Sequence, residues 1–156
     1  MIMIMRHQEG DESTNCLSAV GVKHSQKIAR QLRTIRHMRV YTLLPYHNGK
    51  HIRPIQTATA VCSELGLSLS ILNDDDVFPR SEGDAAHLII WHHSGIPNIL
   101  RKYFPDASFV WTTDNYSGCL MVYEKYWTYV SDFFVTSSKK GGVNRFKAWW
   151  IRYIKR

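Results

Sequence analysis

Two arginines and two histidines stand at the ends or starts of predicted elements, where they could take part in chemistry. Arg6 and His7 directly follow the first apolar run of the chain. Arg53 precedes a proline suited to the first turn of a helix, and His93 follows a later apolar run. Arginine can bind two phosphate oxygens at once, and histidine can attack phosphorus or donate a proton near neutral pH. The four residues therefore indicate a phosphate site.

The elements that must position these residues alternate between short apolar strands and amphipathic helices. The pattern predicts strands at 1–5, 40–44, 67–71, 87–91, 119–124 and 127–134, and helices at 17–35, about 53–65 and about 94–104. This order is typical of an α/β domain, here a three-layer α/β/α sandwich with a central, mostly parallel sheet. Ligands of such sheets gather at the carboxyl ends of the strands, where helix N-termini attract anions. We therefore expect the four residues to meet at that edge.

Composition limits the class of protein. The 156 residues are 44% hydrophobic and 21% charged, which fits one globular domain and excludes a wholly disordered chain. The three cysteines are far apart and odd in number, so they suit neither a disulfide framework nor a paired-cysteine zinc site. The apolar start is far shorter than the roughly 20 residues of a membrane span. These features predict a cytoplasmic protein.

The net charge of +7 comes from the end of the chain. Seven basic residues and no acidic one follow residue 138, which leaves 13 basic and 13 acidic residues in the rest. We therefore divide the chain into a domain at 1–138 and a basic, aromatic tail at 139–156. The tail suits contact with nucleic acid or a membrane surface. The alternative is a terminal helix that packs on the sheet and exposes its charges to water.

Four segments of the chain resemble, in order, the signatures of the histidine phosphatase superfamily, which includes phosphoglycerate mutase-like enzymes and short phosphohistidine phosphatases. RHQE at 6–9 is similar to the RHG or RHGE signature, and LSAVG at 17–21 to an LTxxG helix start. HIRPIQTA at 51–58 is similar to an RxxQTA segment, and LIIWHHSGIP at 88–97 to the strand and HGxxI of the second histidine. The resemblance covers about residues 1–104 and implies a phosphoglycerate mutase-like fold.

The resemblance also implies roles for the four residues. His7 would be the nucleophile that forms a phosphohistidine, Arg6 and Arg53 would bind the phosphoryl oxygens, and His93 would complete the catalytic pocket. The expected activity is metal-independent and cofactor-free hydrolysis of a phosphomonoester or phosphoramidate, carried by a small molecule, a nucleotide or a phosphoprotein. One alternative is a catalytically weak or inactive binding module that contacts nucleic acid or membrane through its tail. Another, less favoured because mutase relatives are longer, is a phosphomutase.

The second histidine can be assigned in two ways. Aligning Ile96 with the apolar residue of the HGxxI segment selects His93, and strand alternation would turn His92 to the opposite side. Two positions depart from the family pattern, because Gln8 and Ser94 stand where glycines are usual. Either residue would narrow the pocket or change its backbone turn without removing a catalytic group.

The proton donor to the leaving group is left open by the sequence. Related enzymes place a carboxylate between the arginine helix and the second histidine, a stretch that here contains several acidic residues. Glu82 and Asp84 are preferred because they are closest in sequence to the strand that precedes His93.

Overall fold

A computed structural model of the chain describes residues 1–46, 50–81, 83–112 and 114–134. Within these ranges the elements are β1 (Ile2–Arg6), α1 (Ala19–Leu32), β2 (Met38–Leu43), α2 (Ile52–Leu65), β3 (Leu69–Leu72), β4 (Ala86–Trp91), α3 (Ile96–Tyr103), β5 (Cys119–Val122) and β6 (Trp127–Val130). Each predicted element is present, with ends that differ by up to four residues. No helix in this part of the chain is long and apolar enough to span a bilayer. The predicted tail and its boundary at residue 138 lie outside the described residues.

The strands form one sheet in the order β3-β2-β4-β1-β5-β6. The first four strands along the chain, β1 to β4, are mutually parallel. β5 pairs antiparallel with β1, and β6 returns antiparallel to β5 as a hairpin. The prediction of a mostly parallel central sheet is therefore confirmed.

The two faces of the sheet carry separate hydrophobic cores. Alternate side chains of β1 face opposite ways, so Met3 and Met5 pack in one core and Ile2 and Ile4 in the other. The first core includes buried residues of α1 and α2, and the second includes those of α3. This arrangement is the predicted three-layer sandwich, and it explains why β1 is apolar at every position before Arg6.

The order in which the chain adds strands to the sheet changes direction between β1 and β4. These two strands are neighbours at the centre, yet α1, which follows β1, and α3, which follows β4, pack on opposite faces. In open α/β sheets such a switch point leaves a crevice at the carboxyl ends of the two strands, where ligands bind. Arg6 and Trp91 are paired at this end. The residues that follow them therefore emerge side by side.

The start of α1 is packed closely against the loop that follows β1. Ser18 caps the helix, because its hydroxyl oxygen accepts a 3.0 Å hydrogen bond from Gly21 N–H. Ser18 also donates to the Glu9 carbonyl oxygen, through its backbone N–H at 2.9 Å and its hydroxyl at 3.0 Å. A Cβ on Gly21 would lie only 2.1 Å from that same oxygen. The segment at 17–21 thus holds the loop that follows β1 in place, because Ser18 bonds to the Glu9 carbonyl and Gly21 packs closely against it.

Gly21→Ala tests this close approach. We expect the free energy of unfolding to fall by about 1–3 kcal/mol, as in other overpacked sites. The clash should outweigh the helix preference of alanine, worth about 1 kcal/mol, because the Glu9 carbonyl cannot move without losing its bonds to Ser18. Urea denaturation measures the change. The control is Val20→Ala, at a neighbouring position that is 54% exposed, and equal stability of the two variants would contradict the packing described.

Candidate active site

Arg6, His7, Arg53 and His93 meet at the carboxyl edge of the sheet. Arg6 ends β1, His7 follows it, His93 lies just beyond β4, and Arg53 is in the first turn of α2. The proximity of the four is seen in their electrostatic effects, since the charges of Arg6, Arg53 and His93 each lower the pKa of His7. The charge of Arg53 likewise lowers the pKa of Arg6. The structure therefore brings the four sequence-predicted residues together at one edge of the sheet, and we call this group the pocket.

The two adjacent histidines differ in their contacts. β4 ends at Trp91, so His92 and His93 lie in the turn before α3 and strand alternation does not separate them. The sequence argument from alternation was therefore wrong. His93 acts electrostatically on His7, whereas the ring of His92 stacks on His51 with centroids 4.1 Å apart. These contacts place His93 beside His7 and His92 beside the ring of His51.

His7 is held as a neutral imidazole with one defined tautomer. Its Nδ1 lies 2.8 Å from the Gln8 carbonyl oxygen, which can only accept, so Nδ1 carries the proton. Burial lowers the pKa of His7 to about 4; the hydrogen bond to Gln8 opposes this shift, and the charges of Arg6 and Arg53 add to it. Near neutral pH, Nε2 therefore has a free lone pair. Such a nitrogen can act as a nucleophile.

The two arginines present hydrogen-bond donors that the protein does not satisfy. Nε and Nη1 of Arg6 and Nε of Arg53 are buried and have no partner among the described residues. Arg6 is itself buried under the Tyr116 ring, whose centroid is 3.9 Å from its Cζ. Arg53 donates from Nη2 to the Asp11 carbonyl (3.1 Å) and lies against Gly10, where a Cβ would be 2.0 Å from its Nε. Buried unpaired donors are unusual, and they fit an anion with several oxygens.

Helix α2 holds the loop that follows β1 as well as supplying Arg53. Thr57 Oγ1 accepts from Gln8 N–H at 3.0 Å, directly beside His7 in the chain. Gln56 Oε1 accepts from Leu17 N–H at 2.6 Å, where the loop leads into α1. The RxxQT spacing at 53–57 thus places the polar contacts of Arg53, Gln56 and Thr57 on the face of α2 that meets the loop.

The loop at 104–118 contributes residues that the sequence did not single out. Gln8, which is fully buried, donates from Nε2 to the Tyr116 carbonyl at 3.0 Å. This bond ties the loop that follows β1 to the segment that covers Arg6. The same loop carries Asp114, an exposed carboxylate whose charge raises the pKa of Arg6. Periodicity could not find Tyr116 or Asp114, because the loop has no regular structure.

The structure does not bring Asp84, one of the two predicted proton donors, to this pocket. Asp84 precedes β4 and lines a cavity of about 1090 Å³ at the opposite edge of the sheet. The six residues of β4 separate it from His93, a distance of about 20 Å at 3.3 Å per residue. The expectation for Asp84 was therefore wrong, since closeness to the start of a strand places a residue far from its end. Glu82 lies outside the described residues.

Glu9, in the loop that follows β1, has a protein partner for one of its two carboxylate oxygens. Its Oε1 lies 2.6 Å from His24 Nδ1, which links this loop to α1. Among the described residues, no three His, Cys, Asp or Glu side chains are grouped so that they could hold a metal ion. Among the described residues, the buried polar atoms near this site that lack a partner include nitrogens of Arg6, Arg53 and His93 and the second carboxylate oxygen of Glu9.

The lowered pKa of His7 can be measured directly. In the folded, ligand-free protein we expect its ring NMR signals to titrate near pH 4. Because an unfolded histidine titrates near about 6.5, the unfolded state binds more protons between these values. The contribution of His7 to stability should therefore be complete above about pH 6.5 and should fall as the pH decreases to 4. His7→Asn assigns the signal and should reduce this pH dependence of urea denaturation, and a midpoint near 6.5 for His7 would contradict the burial argument.

The comparisons with known proteins identify the fold. No protein-family model matches the chain, and no curated protein matches it significantly. A phosphoglycerate mutase structure from Bacillus anthracis is similar at a TM-score of 0.56 and 13% identity, over 83% of this chain and 91% of that one. A phosphoglycerate mutase structure from Plasmodium falciparum is similar at 0.53 and 16% identity, over 91% and 94%. The chain thus has the phosphoglycerate mutase fold, as the resemblance implied.

Proposed function

We propose that this chain is a member of the histidine phosphatase superfamily that hydrolyses a phosphomonoester or phosphoramidate through a phosphohistidine on His7. The observation that carries the proposal is the state of His7: a neutral ring with Nε2 unprotonated, buried beside Arg6 and Arg53. A protonated or differently bonded ring would have no free lone pair. The shared fold supports the superfamily assignment, and the four ordered sequence segments add to it.

The geometry supports a two-step displacement. Nε2 of His7 attacks phosphorus as the bond to the leaving group breaks, and water then attacks the phosphohistidine to release phosphate. Phosphoryl transfer depends mainly on positioning and on neutralising the charge of the three equatorial oxygens. The free donors of Arg6 and Arg53 are suited to those oxygens. His93 completes the pocket, and its pKa is lowered by burial and by the charge of Arg6.

Trapping the phosphoenzyme tests the proposal. We expect the protein to hydrolyse p-nitrophenyl phosphate and to form an acid-labile, base-stable phosphoryl adduct after rapid quenching. His7→Ala should lose the adduct and reduce turnover by more than about 1000-fold. His37→Asn is the control, because His37 is exposed at the opposite edge of the sheet and its φ of 54° suits asparagine. If the protein binds vanadate but turns over no member of a broad panel of phosphorylated substrates, the proposed activity is contradicted and the binding module is favoured.

A phosphomutase is the second candidate. Most of this chain matches 91% and 94% of the two phosphoglycerate mutase structures, so chain length does not separate the two activities. The two activities differ in the compound that accepts the phosphoryl group. A hydrolase releases inorganic phosphate from the trapped phosphoenzyme in water alone, whereas a mutase transfers it to a second hydroxyl compound.

We propose Asp114 as the proton donor to the leaving group. Its carboxylate acts on Arg6, and it is carried by the loop that places Tyr116 over Arg6. Asp114→Asn should lower the turnover of alkyl phosphates by about 100-fold, because their leaving groups need a proton. Turnover of p-nitrophenyl phosphate, whose leaving group is acidic, should change much less.

The control for this experiment is Asp106→Asn, which removes an exposed carboxylate from the same loop. If Asp114→Asn lowers the turnover of alkyl phosphates and of p-nitrophenyl phosphate equally, Asp114 supports Arg6 and is not the proton donor. An unchanged rate with alkyl phosphates would exclude it as the donor.

A further inference from the structure

Three aromatic rings lie together beside the phosphate pocket, and we call Tyr46, His51 and His92 the ring wall. The rings of Tyr46 and His51 meet edge to face at 5.3 Å, and those of His51 and His92 stack at 4.1 Å. His51 is two residues before Arg53, and His92 directly precedes His93. The charge of His51 also acts on His93. The ring wall is therefore continuous with the pocket.

Two of these rings are fixed by hydrogen bonds. His92 Nδ1 accepts from Gly95 N–H at 3.1 Å, so the Ser94 hydroxyl, 2.8 Å away, must donate to the same nitrogen. The Tyr46 hydroxyl donates to Asp74 Oδ2 at 2.8 Å. The rings are thus held in position by the protein itself, which lowers the entropic cost of packing a ligand against them.

The third ring occupies a strained backbone position. His51 is the N-cap residue of α2 with φ of 59°, in the left-handed region that non-glycine residues seldom adopt. Its side chain makes no capping hydrogen bond, unlike that of the usual serine or aspartate. The conformation instead directs the imidazole between the rings of Tyr46 and His92. Strain of this kind is concentrated at ligand sites.

The ring wall is uncharged near neutral pH, in contrast to the pocket beside it. Burial lowers the pKa of His92 to about 4 and also lowers the pKa of His51. Neither ring therefore adds a positive charge to those of Arg6 and Arg53. Uncharged aromatic rings next to two cations suit a ligand with the same polarity: a phosphate joined to a planar, uncharged ring.

We propose that the ring wall binds the leaving group of the substrate, and that this leaving group contains a planar aromatic ring. The proposal rests on the proposed phosphatase activity. The shared chemistry is a ring close to a phosphate, which either a phosphorylated phenol or a nucleoside monophosphate provides. Packing against positioned rings should favour such substrates over phosphate esters without an aromatic ring by about 10-fold.

The first test is kinetic. Wild type is compared on phosphotyrosine, adenosine 5′-monophosphate and glycerol phosphate. Tyr46→Ala removes one ring, and His51→Asn removes another while retaining a residue that tolerates positive φ. Each should reduce the preference for the aromatic substrate over glycerol phosphate by about 10-fold, mainly through KM. Tyr46→Phe should restore the preference, because the ring rather than the hydroxyl forms the contact. Of phosphotyrosine and adenosine 5′-monophosphate, the substrate whose preference over glycerol phosphate falls more in these variants identifies the source of the ring.

The second test measures binding without turnover, so that the two proposals fail separately. By calorimetry, wild type should bind phenylphosphonate about 10-fold more tightly than methylphosphonate, and His51→Asn should bind the two equally. Tyr126→Ala, which removes an exposed ring at the opposite edge of the sheet, is the control. Equal affinity of wild type for both phosphonates would overturn the ring-wall proposal. Absence of turnover with preserved phenylphosphonate preference would overturn only the phosphatase proposal.

Discussion

The pairing of β1 with β4 is the constraint on which the site depends. The ladder continues beyond Arg6, because His7 N–H donates to the Trp91 carbonyl at 2.9 Å. Both strands bury both faces, so a slip of one residue would exchange their two sets of core side chains. The hydrophobic core thus fixes the register, and the register brings His7 and His93 out of the sheet side by side. Pocket geometry is in this sense a consequence of packing.

Electrostatics in the pocket are arranged for an anion rather than for the stability of the free protein. Burial lowers the pKa of Arg6, and the nearby charge of Arg53 lowers it further, while Glu9 and Asp114 oppose these effects. Donors on both arginines remain unpaired among the described residues, which is unfavourable in a buried site. A bound phosphate would accept from these donors and offset the repulsion. The same property that destabilises the free pocket therefore favours binding.

The sequence predicts the parts of the site that regular elements position. Strands apolar on both faces and a proline at a helix start were enough to place Arg6, His7 and Arg53 at one edge. The loop at 104–118 has no period, so Asp114 and Tyr116 could be placed only by the tertiary structure. The error for Asp84 has a different origin, because distance along the chain does not tell which end of a strand a residue occupies.

The two departures from the family pattern have a common physical effect. Gln8, in place of a glycine, donates to the Tyr116 carbonyl and so holds the residue whose ring lies over Arg6. Ser94, in place of the other glycine, donates to His92 and so fixes a ring of the ring wall. Neither side chain replaces a nitrogen of the proposed phosphate site. Side chains added at these positions therefore form the surroundings of that site, and we infer that they change which leaving group is accepted more than how a phosphate would be held.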